Sequence, residues 1–354
     1  MVQMGRFLAG SSFWLWLLVA IQVVAHDGTA AAELYEADSL SAPIAQQSAD
    51  PRLYSKHNFL PSDFFLEMDL DVGVRFDRLR WSIAGYGLSP NILSELAWSD
   101  VFSHQLTLGG RTRISPHFYG RGHVSFAWIQ SGNVQDSDYL GDNRTQEFSR
   151  SVCETNGDHL WDVVAGVGYP FSFSNRRLFI APMAGFSIHR QIFRITDGQQ
   201  IISEPPSQTR IGPLDSRLNS LFSTMWQNVW IGCDLRYNTA SSFKLPPPMA
   251  WELSLKYYVF ADYSAEADWN LRSDLAHPVS FEHEARGQGI SVQFLWMIYL
   301  SRHIDMNFTI NYIRLKADDG TDKVYAADGR QITTRLNEVL WQSNSVMVGI
   351  AYRF

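Results

Sequence analysis

The chain ends on a strand whose two faces differ completely. Reading back from Phe354, the residues Tyr352, Ile350, Val348 and Val346 share its parity, while Arg353, Ala351, Gly349, Met347 and Ser345 take the other. Side chains of a β-strand point to opposite faces with a period of two, so one face here is apolar and the other small or polar. The edge strand of a soluble β-sandwich is one home for such a pattern. The other is the closing strand of a membrane β-barrel, which must pair with the first strand.

The same alternation recurs upstream. From Leu66 to Phe76, Leu66, Met68, Leu70, Val72, Val74 and Phe76 are apolar, and Glu67, Asp69, Asp71, Gly73, Arg75 and Asp77 lie between them. A sandwich core could not hold that many charges, whereas a polar lumen can. Further alternating stretches lie at about 98–113, 118–130, 159–173, 178–190, 224–237, 250–262, 288–301, 304–316 and 338–354. The total of ten strands is even. Short connections (114–117, 174–177, 239–248, 302–303) alternate with long ones near 82–97, 131–158, 191–223, 263–287 and 317–337. This rhythm predicts an all-β fold: a ten-stranded antiparallel transmembrane barrel with short periplasmic turns, long extracellular loops and the seam near Phe64 and Phe354. Trp81, Trp98, Trp128, Trp161, Trp226, Trp230, Trp251 and Trp341 are read as aromatic girdle residues at the membrane surfaces.

The N-terminus agrees with export. Arg6, an apolar run from Phe7 to Ala25 and small residues at Val23-Val24-Ala25 predict a signal peptide over 1–25. Residues 26–62 lack periodicity and are read as a poorly ordered extension, and 63–354 as the barrel. No second apolar run reaches the roughly 20 residues of a membrane helix. A formal net charge of -7 leaves no basic stripe for nucleic acid. The two cysteines are too few for a disulfide scaffold. Cys153 is placed in a loop and Cys233 on the apolar parity of a strand, so both are expected to be free thiols.

Seven segments carry a family resemblance. Glu95-Leu96-Ala97-Trp98, Ala127-Trp128, the run Gly132 to Tyr139, Arg177 to Phe186, Trp230 to Tyr237, Glu252 to Tyr257 and Val348 to Phe354 occur in the order and spacing of the strands of omptins. The chain thus resembles these ten-stranded outer-membrane endoproteases of Gram-negative bacteria over roughly 64–354. The resemblance implies a bacterial outer-membrane location and a site at the barrel mouth, where an acidic pair on one wall faces an Asp-His pair on the other across a water. Asp136 and Asp138 match the first pair. Asp268 matches the second, but Asn270 stands where the family has histidine, and an amide cannot take a proton from water near neutral pH. His277 and His283 lie farther along the same loop, and His159 is a remote alternative.

Glu147-Phe148-Ser149-Arg150-Ser151 matches a family segment for substrate binding, again without its histidine, so Glu147, Ser149 and Arg150 are carried over as substrate-binding residues. The acidic loops suit cationic peptides, and host surface proteins are a further partner class. Arg190 matches one basic contact of the lipopolysaccharide that activates omptins, with Ile188 where the acidic partner would be. No metal or other cofactor is implied. Three functions follow. The favoured one is a surface binding or structural barrel whose proteolysis is lost or weakened. The second is an endopeptidase cleaving near basic residues with Asp136, Asp138 and Asp268 activating water. The third is a narrow channel.

Overall fold

The computed structural model describes residues 65–173, 177–207, 209–239, 249–301 and 303–354. The expected signal peptide and N-terminal extension lie outside them. Thirteen strands run in order: β1 (Phe65–Ile83), β2 (Ser94–Ser115), β3 (Phe118–Gly141), β4 (Thr145–Thr155), β5 (His159–Gly168), β6 (Phe171–Phe173), β7 (Leu178–Ser203), β8 (Gly212–Pro213), β9 (Ser220–Asn238), β10 (Met249–Asp268), β11 (Phe281–Tyr299), β12 (Ile304–Tyr325) and β13 (Gln331–Arg353).

β4, β5 and β6 follow one another along β7 and form a single stave, and β8 is a short addition to β7. The remaining pairings are antiparallel and close a ring of ten staves. The seam lies where expected: Glu67 pairs with Arg353, the register runs unbroken to Ser82 opposite Glu338, and the Phe354 amide donates to the Leu66 carbonyl.

The outward parity forms an apolar band. Leu66, Met68, Leu70 and Phe76 on β1, Leu106 and Leu108 on β2, Val229 and Ile231 on β9, Ile290 on β11, Ile310 on β12 and Val346 and Ile350 on β13 are exposed on the outer wall. In a soluble protein this would be an aggregation surface; here it is the face presented to lipid. The staves continue well beyond the band. β7 has 26 residues, against the roughly 9–11 needed to cross a bilayer. Much of what reads as extracellular loop in the sequence is therefore strand: 131–141 and 145–155 are the arms of a hairpin.

The interior has two levels. The lower lumen is an ion-pair network. Arg111 reaches Glu67 at 2.8 Å and Glu252 at 2.7 Å, Arg236 shares Glu252 at 2.8 Å, and Arg121 reaches Asp234 at 2.7 Å. Higher up, Arg75 joins Asp77 and Asp162, and Asp162 also holds His189, whose other ring nitrogen lies 3.0 Å from Ser187 Oγ. These charges are buried but mutually paired, which such a lumen requires.

Above them lies an aromatic layer. Trp98 stacks on Phe222 with ring centroids 4.8 Å apart and on Phe193 at 5.1 Å, while Trp81 reaches Phe281 at 5.8 Å. Trp226, Trp230 and Trp341 are buried at adjoining positions. Trp81, Trp98, Trp226, Trp230 and Trp341 are thus not girdle residues. Each has inward parity and packs inside the barrel, and only Trp128 of the expected set is prominently exposed on the outer wall. Refolded protein in a planar bilayer is expected to give no stepwise current, because this layer and the ion pairs below fill the bore. Discrete conductance steps would show that the layer opens.

Cys153 belongs to β4 rather than to a loop. It is buried opposite Val134, whereas Cys233 is part-exposed on β9, and both are free.

Candidate functional site at the barrel mouth

Two β-bulges decide which side chains reach the mouth. Along the lower part of β3 the odd positions face inward, with Ser125, Ala127 and Ile129 buried. At Gln130 and Ser131 two successive residues face outward, opposite an irregularity in β2 between Ser99 and Phe102. Beyond it the even positions face inward: Gly132 and Val134 pack against the core, followed by Asp136 and Asp138. The slip therefore brings the acidic pair inside, one step above the level where Val134 pairs with Trp98.

On β10 the consequence is opposite. Even positions from Ala250 to Tyr258 face inward, then Val259 and Phe260 are both exposed at a bulge, after which Ala261, Tyr263, Ala265 and Ala267 are buried. Trp269 continues the inward series and packs edge-on against Phe281 at 4.9 Å. Asp268 and Asn270 fall on the opposite parity. The Asn270 amide holds the preceding connection: its oxygen accepts from the Asn219 amide at 2.9 Å and the Ser220 hydroxyl at 3.1 Å, and its nitrogen donates to the Arg217 carbonyl at 2.8 Å. Every polar atom of that side chain is engaged in tying two loops together.

Asp268 does have an imidazole. His277 Nδ1 lies 2.6 Å from Asp268 Oδ1, with both side chains part-exposed. His283 instead projects into the aromatic layer, where its Nε2 lies 3.2 Å from Asp322 and its ring meets Trp81 edge-on at 4.8 Å. His159 is on β5, stacked on Phe126 at 5.1 Å, far below the mouth.

Asp136 and Asp138 stand above the lipid-facing band. Burial, and after it the neighbouring Asp138, holds the Asp136 carboxyl well above the usual range. Burial also raises Asp138, against hydrogen bonds from Ser94 and Ser149. The opposing positive charge on both comes from Arg272, four residues beyond the end of β10. Arg272 also binds Asp274 at 2.7 Å. The pair thus holds at least one proton more readily than free carboxyls do.

The sign of the pH effect follows. Between the ordinary carboxylate range near 4 and the raised folded value, the folded state binds more protons than the unfolded one, so stability falls as pH rises through that window. An Asp136→Asn variant is expected to match the wild type near pH 4 and exceed it at neutral pH. Urea unfolding across that range would reveal it, and parallel pH profiles for the two proteins would refute it.

The other expected site residues are dispersed. Ser149 pairs with Asp138 across β3 and β4 and shares its face. Arg150 pairs with Ser137 and Glu147 with Tyr139, both on the opposite face, and the two bind each other at 2.5 Å. Arg190 lies on the outer wall in a recess of about 240 Å³ with Ser223, Glu266, Glu282 and Glu284. Its guanidinium donates to the Ser223 hydroxyl at 3.3 Å.

Over residues 69–354 the sequence matches the family described as Protochlamydia outer membrane protein, Pom. The chain belongs to the Pom family. No curated protein matches it. Among solved structures, this Pom-family barrel is similar to the outer membrane protease OmpT of Escherichia coli at 13% identity and a TM-score of 0.69, covering 83% of this chain and 99% of OmpT. The translocator domain of the autotransporter NalP from Neisseria meningitidis has 11% identity and a TM-score of 0.35, over 93% and 98% of the two chains. OprG from Pseudomonas aeruginosa has 9% identity and a TM-score of 0.30, over 81% and 95%. The first likeness establishes a shared ten-stranded fold, and family and fold together place the Pom-family protein in the bacterial outer membrane.

Sequence reading missed Trp269, which packs inward on Phe281, and Arg272, whose charge acts on the acidic pair. Neither has a motif. The inward direction of Trp269 follows from the bulge at Val259 and Phe260, which leaves no local signature.

Proposed function

We propose that this protein is a surface-binding barrel without peptidase chemistry, whose mouth takes up cationic peptide segments. One observation supports this reading: the positive charge acting on Asp136 and Asp138 is that of Arg272 on the protein's own loop, whose guanidinium is bound to Asp274. A site whose carboxylates already lie in the field of an arginine selects ligands that bring positive charge closer than that arginine does. Binding is then an exchange of one cation for another, with specificity for positive charge and modest affinity.

The test is binding of a fluorescent hexa-arginine peptide to the refolded barrel. Removing the internal competitor in Arg272→Ser is expected to tighten binding by roughly tenfold, about 1.4 kcal/mol. Asp136→Asn combined with Asp138→Asn is expected to abolish that gain. Equal affinity in wild type and Arg272→Ser would sink the proposal.

A second reading rests on the 2.6 Å contact between His277 and Asp268. A histidine oriented by a carboxylate is the usual general base of hydrolysis. On this reading a fluorogenic peptide with paired basic residues is cleaved by the wild type and spared by His277→Ala. On the first reading neither protein cleaves it, and Asn270→His gains nothing, because that side chain is tied to Arg217, Asn219 and Ser220.

A further inference from the structure

The outer wall over β10 to β13 and β1 carries a charge pattern that the mouth does not use. Hydrogen-bonded partners share a face, so the register defines rows across the wall. The lowest row above the apolar band is Arg78, Gln342, Arg314, Ile290 and Tyr257. The next contains Arg80, Leu340, Lys316 and Gln288, and the one beyond it Ser82, Glu338, Asp318, Arg286 and Asp262. Four cations occupy the two rows nearest the band, and those rows contain no carboxylate.

On these strands the acidic groups stand one row farther out, and Arg78 reaches Asp100 on the neighbouring β2 at 3.6 Å. The outer-row carboxylates bind the second row from above: Glu338 reaches Arg80 at 3.0 Å, and Asp318 reaches Lys316 at 2.8 Å. Asp262 reaches Arg286 within its own row at 3.3 Å. Arg314, in the lowest row, makes no ion pair with any described residue. Beside it the wall is recessed by about 560 Å³, between Tyr257, Gln288, Ile290, Arg314 and Lys316, with Arg286 and the Lys316-bound Asp318 at its upper edge. Ile290 and Tyr257 supply an apolar lower edge continuous with the lipid-facing band. The opening therefore straddles the boundary where acyl chains end and headgroups begin.

We infer that this recess binds the phosphate-bearing headgroup of an outer-leaflet lipid, with Arg314 and Lys316 on the phosphate and Ile290 and Tyr257 against the first acyl carbons. A guanidinium that faces the membrane surface and has no ion-pair partner among the described residues gains most from an anion presented at its own height. Arg190, on another wall, opens on a recess whose lining includes three glutamates. This site is independent of the peptide-binding reading of the mouth.

Spin-labelled phosphatidic acid and spin-labelled phosphatidylcholine, each offered to the refolded full-length barrel in phosphatidylcholine vesicles, test the inference through the motionally restricted lipid fraction. The wild type is expected to prefer phosphatidic acid by roughly fivefold for each engaged cation. Arg314→Gln with Lys316→Gln should lose that preference, Arg190→Gln should keep it, and added salt should weaken it only partly. Heat-modifiable gel mobility confirms that each variant is folded. Equal association of both lipids with the wild type, or an undiminished preference in the double variant, would overturn it. So would complete displacement by inorganic phosphate, which would identify a site for the free anion.

Discussion

Replacing Arg111 by methionine is expected to lower the stability of the barrel by about 3–5 kcal/mol, the usual cost of leaving buried charges without their partner. Arg111 connects Glu67 on β1 with Glu252 on β10 at 2.8 and 2.7 Å, and all three side chains are buried. It therefore ties opposite sides of the ring through the lumen. Without it, among the described residues Glu67 retains Arg353 at 3.4 Å, and Glu252 retains Arg236. Urea unfolding in detergent micelles, followed by tryptophan fluorescence, gives the measurement. Arg111→Lys keeps the charge but not the two-armed geometry, and should fall between the two. A loss below about 1 kcal/mol for the methionine variant would mean that water or neighbouring arginines replace the bridge.

The second large effect is expected at the seam. A side chain at Gly349 would enter the Asp71 carboxylate and meet the Leu70 carbonyl oxygen at 2.5 Å. Asp71 and Gly349 are direct partners across β1 and β13. The carboxylate can rotate away, but the carbonyl belongs to the ladder itself. Gly349→Leu should therefore prevent closure, and the heat-modifiable band of folded barrel should be absent from a gel run without boiling. Adding Asp71→Gly relieves only the side-chain clash and should restore little. Normal folding of the single variant would show that the seam can shift its register.

The alternation that identifies the barrel is legible because it depends only on local period, and the ring, the seam and the location all follow from it. Trp81 and Trp341 show where that same information went unused. Both lie on the inward parity of strands whose lipid-facing residues are plain in the sequence, yet their position near strand ends made them look like girdle residues. The site was less legible for a different reason. Uninterrupted alternation would send Asp136 outward and Asp268 inward, and bulges at Gln130–Ser131 and Val259–Phe260 reverse both. A bulge is a one-residue surplus on one strand relative to its partner, so it belongs to the pairing and cannot be seen in either strand alone. The same holds for His277, which reaches Asp268 through the course of the loop rather than through spacing on a strand.

The stacked rings of Trp98, Phe193 and Phe222 also act as a bulkhead. If the bilayer measurement gives the expected absence of current, the barrier below stays the same whatever the hairpins above it acquire or lose. Residues such as Asp136, Arg272 and His277 can therefore be exchanged without opening the cell envelope. Surface chemistry on this scaffold is thereby free to change at little risk to the membrane it sits in.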